Sequence, residues 1–138
     1  MRPAMANIDA EMNATADNPC TPNISAAGQR RRRRIGLQMA GLTVAATGAG
    51  LIFRAPWVAR TAVFFPAAVS AIGYLQANRN TCVMRARQGT LEHDDFTTEP
   101  APAADVAKSR RVAISIYRDA LLVGVAAAAI AAATAFVR

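Results

Sequence analysis

The side chains that could do chemistry lie close together in one short stretch. Glu92, His93, Asp94 and Asp95 set three carboxylates beside the only histidine, a group that could hold a divalent cation. Metal binding needs ligands that converge. Neighbouring positions do not share one helix face, and there is no second histidine to close a site. The stretch is expected to be a solvated turn with no metal. Cys82 is the second candidate. A thiol acts as a nucleophile when a base lies beside it, and His93 is the only imidazole, but nothing in the spacing joins the two. Cys20 sits in Asn-Pro-Cys-Thr-Pro, a turn-forming context with no ligand partner nearby. Both cysteines are expected as free thiols on a reducing, cytoplasmic side. No catalytic, cofactor-binding or metal-binding residue is assigned, no cofactor is implied, and the chain is expected not to be an enzyme.

The densest charge is Arg30, Arg31, Arg32, Arg33 and Arg34, set directly against the uncharged run Ile35–Phe53. Such a run can bind nucleic acid, but no aromatic residues interleave with these arginines to stack on bases. It can open an export signal, but the apolar run that follows lasts ~19 residues, longer than a usual signal core. The third chemistry is contact with anionic headgroups beside a membrane helix, and the abutting apolar run favours it. Lys108, Arg110 and Arg111 form a second basic cluster of the same kind. Nucleic acid is not expected as a partner.

These residues must be positioned by helices. Apolar residues make up 53% of the 138-residue chain but aromatics only 6%, so small side chains carry the count, and they collect in three uncharged runs. Ile35–Phe53 would span roughly 28 Å as a helix, close to the hydrocarbon thickness of a bilayer. Arg54–Arg60 is a short connection in which Pro56 breaks the helix and Trp57 suits the headgroup boundary as an interface anchor. Thr61–Ala77 is the second run, and Pro66 inside it is expected to kink the helix. A basic extension through Arg79, Arg85 and Arg87 is expected to continue that helix to Gly89. The third run, Ala120–Val137, is half alanine and follows the basic flank.

The expected fold is all-α and integral to a membrane: a transmembrane hairpin plus a third transmembrane helix. Residues 1–29 are expected as a disordered cytoplasmic tail, 30–88 as the hairpin with its extension, 89–108 as a flexible linker, and 109–138 as the third helix with its basic flank. The sixteen basic residues divide thirteen to three if the N-terminus is cytoplasmic, with Arg54, Arg60 and Arg138 on the far side. Lysine and arginine bias sets topology, so the N-terminus is expected inside and the C-terminus outside, in a bacterial inner membrane.

In lipid, helices join by close packing and interhelical hydrogen bonds rather than by the hydrophobic effect. Gln38, Gly41, Ala45 and Gly48 share one face of the first helix. Pro66, Ser70, Gly73 and Ala77 do so in the second, and Gly124, Ala128, Ala132 and Ala135 in the third. These small faces are expected to meet one another or a partner. The functional expectation is a small accessory or structural subunit, or an assembly factor, packing against larger membrane proteins or itself and bounded by anionic lipid. An oligomeric transporter or channel lined by Gln38, Thr43, Thr47, Ser70, Tyr74 and Gln76 is the alternative, with thiol redox or metal handling at Cys82 behind it.

Overall fold

The computed structural model describes residues 23–137. Helix α1 runs over Ala26–Ile52. A short helix α2, Trp57–Arg60, leads through a 3₁₀ turn at Thr61–Val63 into α3, Phe64–Asn78. Helix α4 covers Val83–Gln88, strands β1 and β2 cover Thr90–Glu92 and Thr98–Pro100, and α5 covers Ala103–Ala133. The segments Ala26–Ile52, Trp57–Asn78 and Ala103–Ala133 are each long and apolar enough to cross a membrane. They point to a membrane location. A transmembrane hairpin followed by a third long helix is thus compatible with the fold.

The local reasons are visible in the backbone. Ser25 caps α1, its hydroxyl accepting from the Gly28 amide at 3.0 Å. At the other end Arg54 adopts φ 49°, and the Ala55 and Arg54 amides donate back to the Gly50 and Leu51 carbonyls. That is the paired closure of a left-handed helix terminus, here without the usual glycine. Pro56 then starts α2. The helix that Pro66 was expected to kink changes type just ahead of it. A proline ring inside a helix clashes with the carbonyl four residues back, here Ala62. The chain tightens to 3₁₀ at Thr61–Val63, and α3 restarts so that Pro66 falls in its first turn.

Helix α3 is the centre. It packs against α1 on one side and α5 on another, while α1 and α5 scarcely touch. The α1–α3 contact is backbone on backbone. A Cβ built on Gly73 would lie 2.9 Å from the Arg32 carbonyl oxygen, and one on Gly36 would lie 3.0 Å from the Tyr74 nitrogen. The Ser70 hydroxyl donates to the Gly36 carbonyl at 2.8 Å across the same contact. On the α5 side Gly124 receives the Phe64 ring, with 2.9 Å from its hypothetical Cβ to ring carbons. The buried line of α5 is Ser109, Ala113, Ile116, Ala120, Gly124 and Ala131, a single face at steps of three, four and seven.

Three expectations about segments change. The basic extension is not part of α3. That helix stops at Asn78, Asn80 takes φ 49°, and α4 begins anew, ending as expected at Gly89 with φ 69°. Residues 89–108, expected as a flexible linker, hold an antiparallel hairpin and the first turns of α5. Alanine and Asp105 at the start of α5 favour helix, so it begins at Ala103, well before the basic flank. The tail expected to be disordered through residue 29 is ordered from Asn23, and both Asn23 and Ile24 are buried. Residues 1–22, with Cys20 and Arg2, lie outside the described residues.

Candidate functional site at the basic end

The N-terminal end of α1, the C-terminal end of α3, α4, the hairpin and the first half of α5 meet at one end of the helices. Asn23 is the junction. Its amide side chain accepts from the Cys82 nitrogen at 2.6 Å and donates to the Cys82 carbonyl at 3.2 Å. Its own backbone donates to the Asn80 carbonyl and accepts from the Glu92 amide. One residue, 2% exposed, thereby ties the entry of α1 to the turn before α4 and to β1. Beneath it Val83, Ala86, Ala113 and Ile116 form a small apolar core between α4 and α5.

The acidic stretch is divided by the hairpin rather than gathered. Glu92 points inward with its side chain 4% exposed. It accepts from the Arg32 guanidinium at 3.3 and 3.2 Å and from Arg85 Nε at 3.4 Å. Burial pushes the Glu92 carboxyl up, but the bonds and charges of Arg32 and Arg85 outweigh it and hold the carboxyl below its ordinary value. Asp94 accepts from the Ala27 amide in the first turn of α1, at 3.4 Å. Asp95 closes the turn by accepting from the Thr97 amide and hydroxyl, which holds its carboxyl low. His93 faces outward, 3.2 Å from Glu99 across the hairpin. Cys82 is a buried free thiol, and His93 makes its contact elsewhere.

The arginine run is divided too. Arg32 turns inward, donating also to Gln76 of α3 at 3.1 Å. Arg30, Arg31, Arg33 and Arg34 carry no hydrogen bond or ion pair among the described residues. Arg30 and Arg33 line a cleft with Gln29 on α1 and with Tyr74, Ala77 and Asn78 on α3. Lys108, Arg110 and Arg111 lie exposed on α5, with Arg110 reaching the Arg87 carbonyl at 3.5 Å. Arg79 joins α3 to α5 through Ser115 at 2.8 Å and Asp119 at 2.6 Å, and Arg118 also contacts Asp119.

Of the residues expected to pack helices, Ser70, Gly73 and Gly124 stand in contacts within the chain. Ala128 borders a shallow groove beside Phe64 and Phe65. Gln38, Gly41, Ala45 and Gly48 lie away from α3, with nothing within 4 Å of a Cβ at Gly41 or Gly48. The intramolecular face of α1 instead passes through Gly36. Trp57 is half exposed at the opposite end of the molecule, where Arg60 donates to the Ala55 carbonyl and to Thr134, both at 2.8 Å. The polar groups considered for a pore are partly spoken for: the Thr43 and Thr47 hydroxyls donate to the carbonyls of Met39 and Thr43 on their own helix.

Comparisons of the chain with protein-family models, with curated proteins and with solved structures find no match.

Proposed function

We propose that this chain is a small non-catalytic subunit or assembly factor of a cytoplasmic, bacterial-type inner membrane, with its N-terminus inside and its C-terminus outside. The observation that carries the reading is the uncovered face of α1. Only 6% of the apolar window of α1 is buried within the chain, against 22% for each of the other two helices. The face carrying Gln38, Gly41, Ala45 and Gly48 combines small residues with one hydrogen-bonding side chain. That composition lets a second membrane helix approach closely and bond across the contact. A larger membrane protein supplies that helix, and the basic end, resting on anionic headgroups, sets the orientation.

The test is recovery of the chain from membranes in mild detergent, with and without Gly41→Leu and Gly48→Leu. The reading expects a stoichiometric membrane partner that both substitutions release, while the isolated chain keeps its melting temperature. Recovery of the wild-type chain as a monomer would overturn it. A homo-oligomer that conducts ions would put the channel reading in its place. A reporter fused after Arg138 checks the orientation: it is expected to be active only on the outer face.

A further inference from the structure

Arg30 and Arg33 are not merely surface charge. They form one end of a longer feature. The polar cleft between α1 and α3 that they line measures about 190 Å³. Tyr74, which lines that cleft, also lines a second depression of about 550 Å³. Its walls are Leu37, Ala40 and Val44 of α1 and Val123 and Ala127 of α5, with Ala71 of α3 beneath. Positions 30, 33, 37, 40 and 44 lie on one face of α1 at helical steps, and 67, 71, 74 and 78 do the same on α3. Cleft and groove are therefore two parts of one track along the same side of both helices. The track is cationic and hydrogen-bonding where the arginine run lies and apolar toward the middle of the helices. Asp119 at the groove's edge does not oppose an anion, because Arg79 and Arg118 hold its carboxylate at 2.6 and 2.9 Å.

We propose that this track is a binding site for one anionic phospholipid, with its phosphate between Arg30 and Arg33 and an acyl chain along the groove between α1 and α5. Charge complementarity selects the occupant. Two guanidiniums without a partner among the described residues, each with several donors, match phosphate oxygens, and Tyr74 and Asn78 add polar groups at the same place. A neutral transmembrane helix would fill the groove but leave the cationic end unanswered. A soluble phosphate compound would fill the cleft but leave the groove open. Only a molecule with both parts uses the whole track. The inference rests on the membrane reading above. It does not depend on the partner-binding face, because Gly41 and Gly48 line neither the cleft nor the groove.

The test uses the full chain, purified in mild detergent and stripped of lipid, with binding read by native mass spectrometry. The probes are phosphatidylglycerol, phosphatidylcholine and glycerol 3-phosphate. One phosphatidylglycerol is expected to bind in preference to phosphatidylcholine. Replacing both cleft arginines in R30Q/R33Q is expected to weaken it about 25-fold, at roughly one surface charge's worth per arginine. R31Q/R34Q removes the same charge from the same run but not from the cleft, and is expected to weaken binding clearly less than R30Q/R33Q, because charges off the cleft act only through screened solvent. Ala40→Trp is expected to block the lipid by filling the groove. R30K/R33K, which keeps the charge, shows whether the fork geometry matters and guards against loss of fold. Equal weakening by the two glutamine pairs would overturn the site, leaving only diffuse charge. Binding of glycerol 3-phosphate as tight as that of the lipid would overturn the acyl part, and so would lipid binding unaffected by Ala40→Trp. Since no partner protein is present, failure here leaves the subunit reading standing, and failure of co-purification leaves this one.

Discussion

Arg32 and Glu92, sixty positions apart, meet through two nitrogen–oxygen contacts of 3.3 and 3.2 Å with the carboxylate all but buried. The pair fixes the hairpin against α1 and removes Arg32 from the exposed face of its run. Replacing one partner leaves the other charge half-buried and unanswered. Glu92→Gln is expected to destabilise the chain by on the order of 2–3 kcal/mol, read as a fall in melting temperature in mild detergent. Arg31→Gln, with no partner among the described residues, should leave it nearly unchanged.

The same carboxylate gives a pH dependence. Its folded value lies below the ordinary glutamate value of 4.5. A depressed carboxylate contributes its stabilisation fully above the unfolded value and loses it as pH falls through the folded one. Melting temperature should therefore hold above pH 4.5 and decline below it, and Glu92→Gln should flatten that decline. An equally steep acid limb in the variant would show that other groups carry it.

Asn23 satisfies both backbone groups of Cys82. Asn23→Ala leaves the buried Cys82 amide without its partner, at about 1–3 kcal/mol before relaxation, while the Cys82 carbonyl keeps the Ala86 amide. In a Cys20→Ser background the variant should react with maleimide at Cys82 much faster than the parent does, because the turn over the thiol opens. Unchanged labelling would mean that the turn holds without its amide clasp.

At Gly73 an added methyl meets backbone, whereas at Gly41 it meets nothing. Gly73→Ala should cost about 1–3 kcal/mol by prising α1 from α3. Gly41→Ala should be neutral or stabilise by up to about 1 kcal/mol through helix propensity. Thermal unfolding of the two variants in the same detergent makes the comparison.

Gly124 faces the Phe64 ring as closely. Gly124→Val should destabilise the α3–α5 contact, and Phe64→Leu in the same chain should recover part of that loss. Additive effects in the double variant would place the two residues out of contact.

The long helices were legible because each has a sustained uncharged run, and the breaks at Pro56 and Gly89 because those residues punctuate the chain physically. Which side of α1 meets α3 was not. Gly36 and Gly41 are the same residue type, and only the position of α3 separates a packed glycine from an open one. The hairpin was hidden for a different reason. Its strands have three residues each, too few for alternation to register, and its turn places Phe96 at φ 64° where glycine or asparagine is the ordinary signal. The polar junction is harder still. Asn23, Arg32 and Glu92 are each ordinary in their local sequence, and their role comes from separations near sixty positions, which no local pattern encodes.

Those separations also set an order in time. Glu92 leaves the ribosome sixty residues after Arg32, an interval of about 3–12 s at ordinary synthesis rates. During that interval the carboxylate does not yet exist for Arg32 to find. On the orientation proposed above, all five arginines then stand together at the start of α1 on the side of synthesis while α1 and α3 emerge. Only when β1 emerges does Arg32 leave that group and close the junction. On that proposed orientation the same guanidinium serves first as an address and afterwards as a latch, so a variant lacking Glu92 should still insert the right way round and fail only to lock the hairpin against α1.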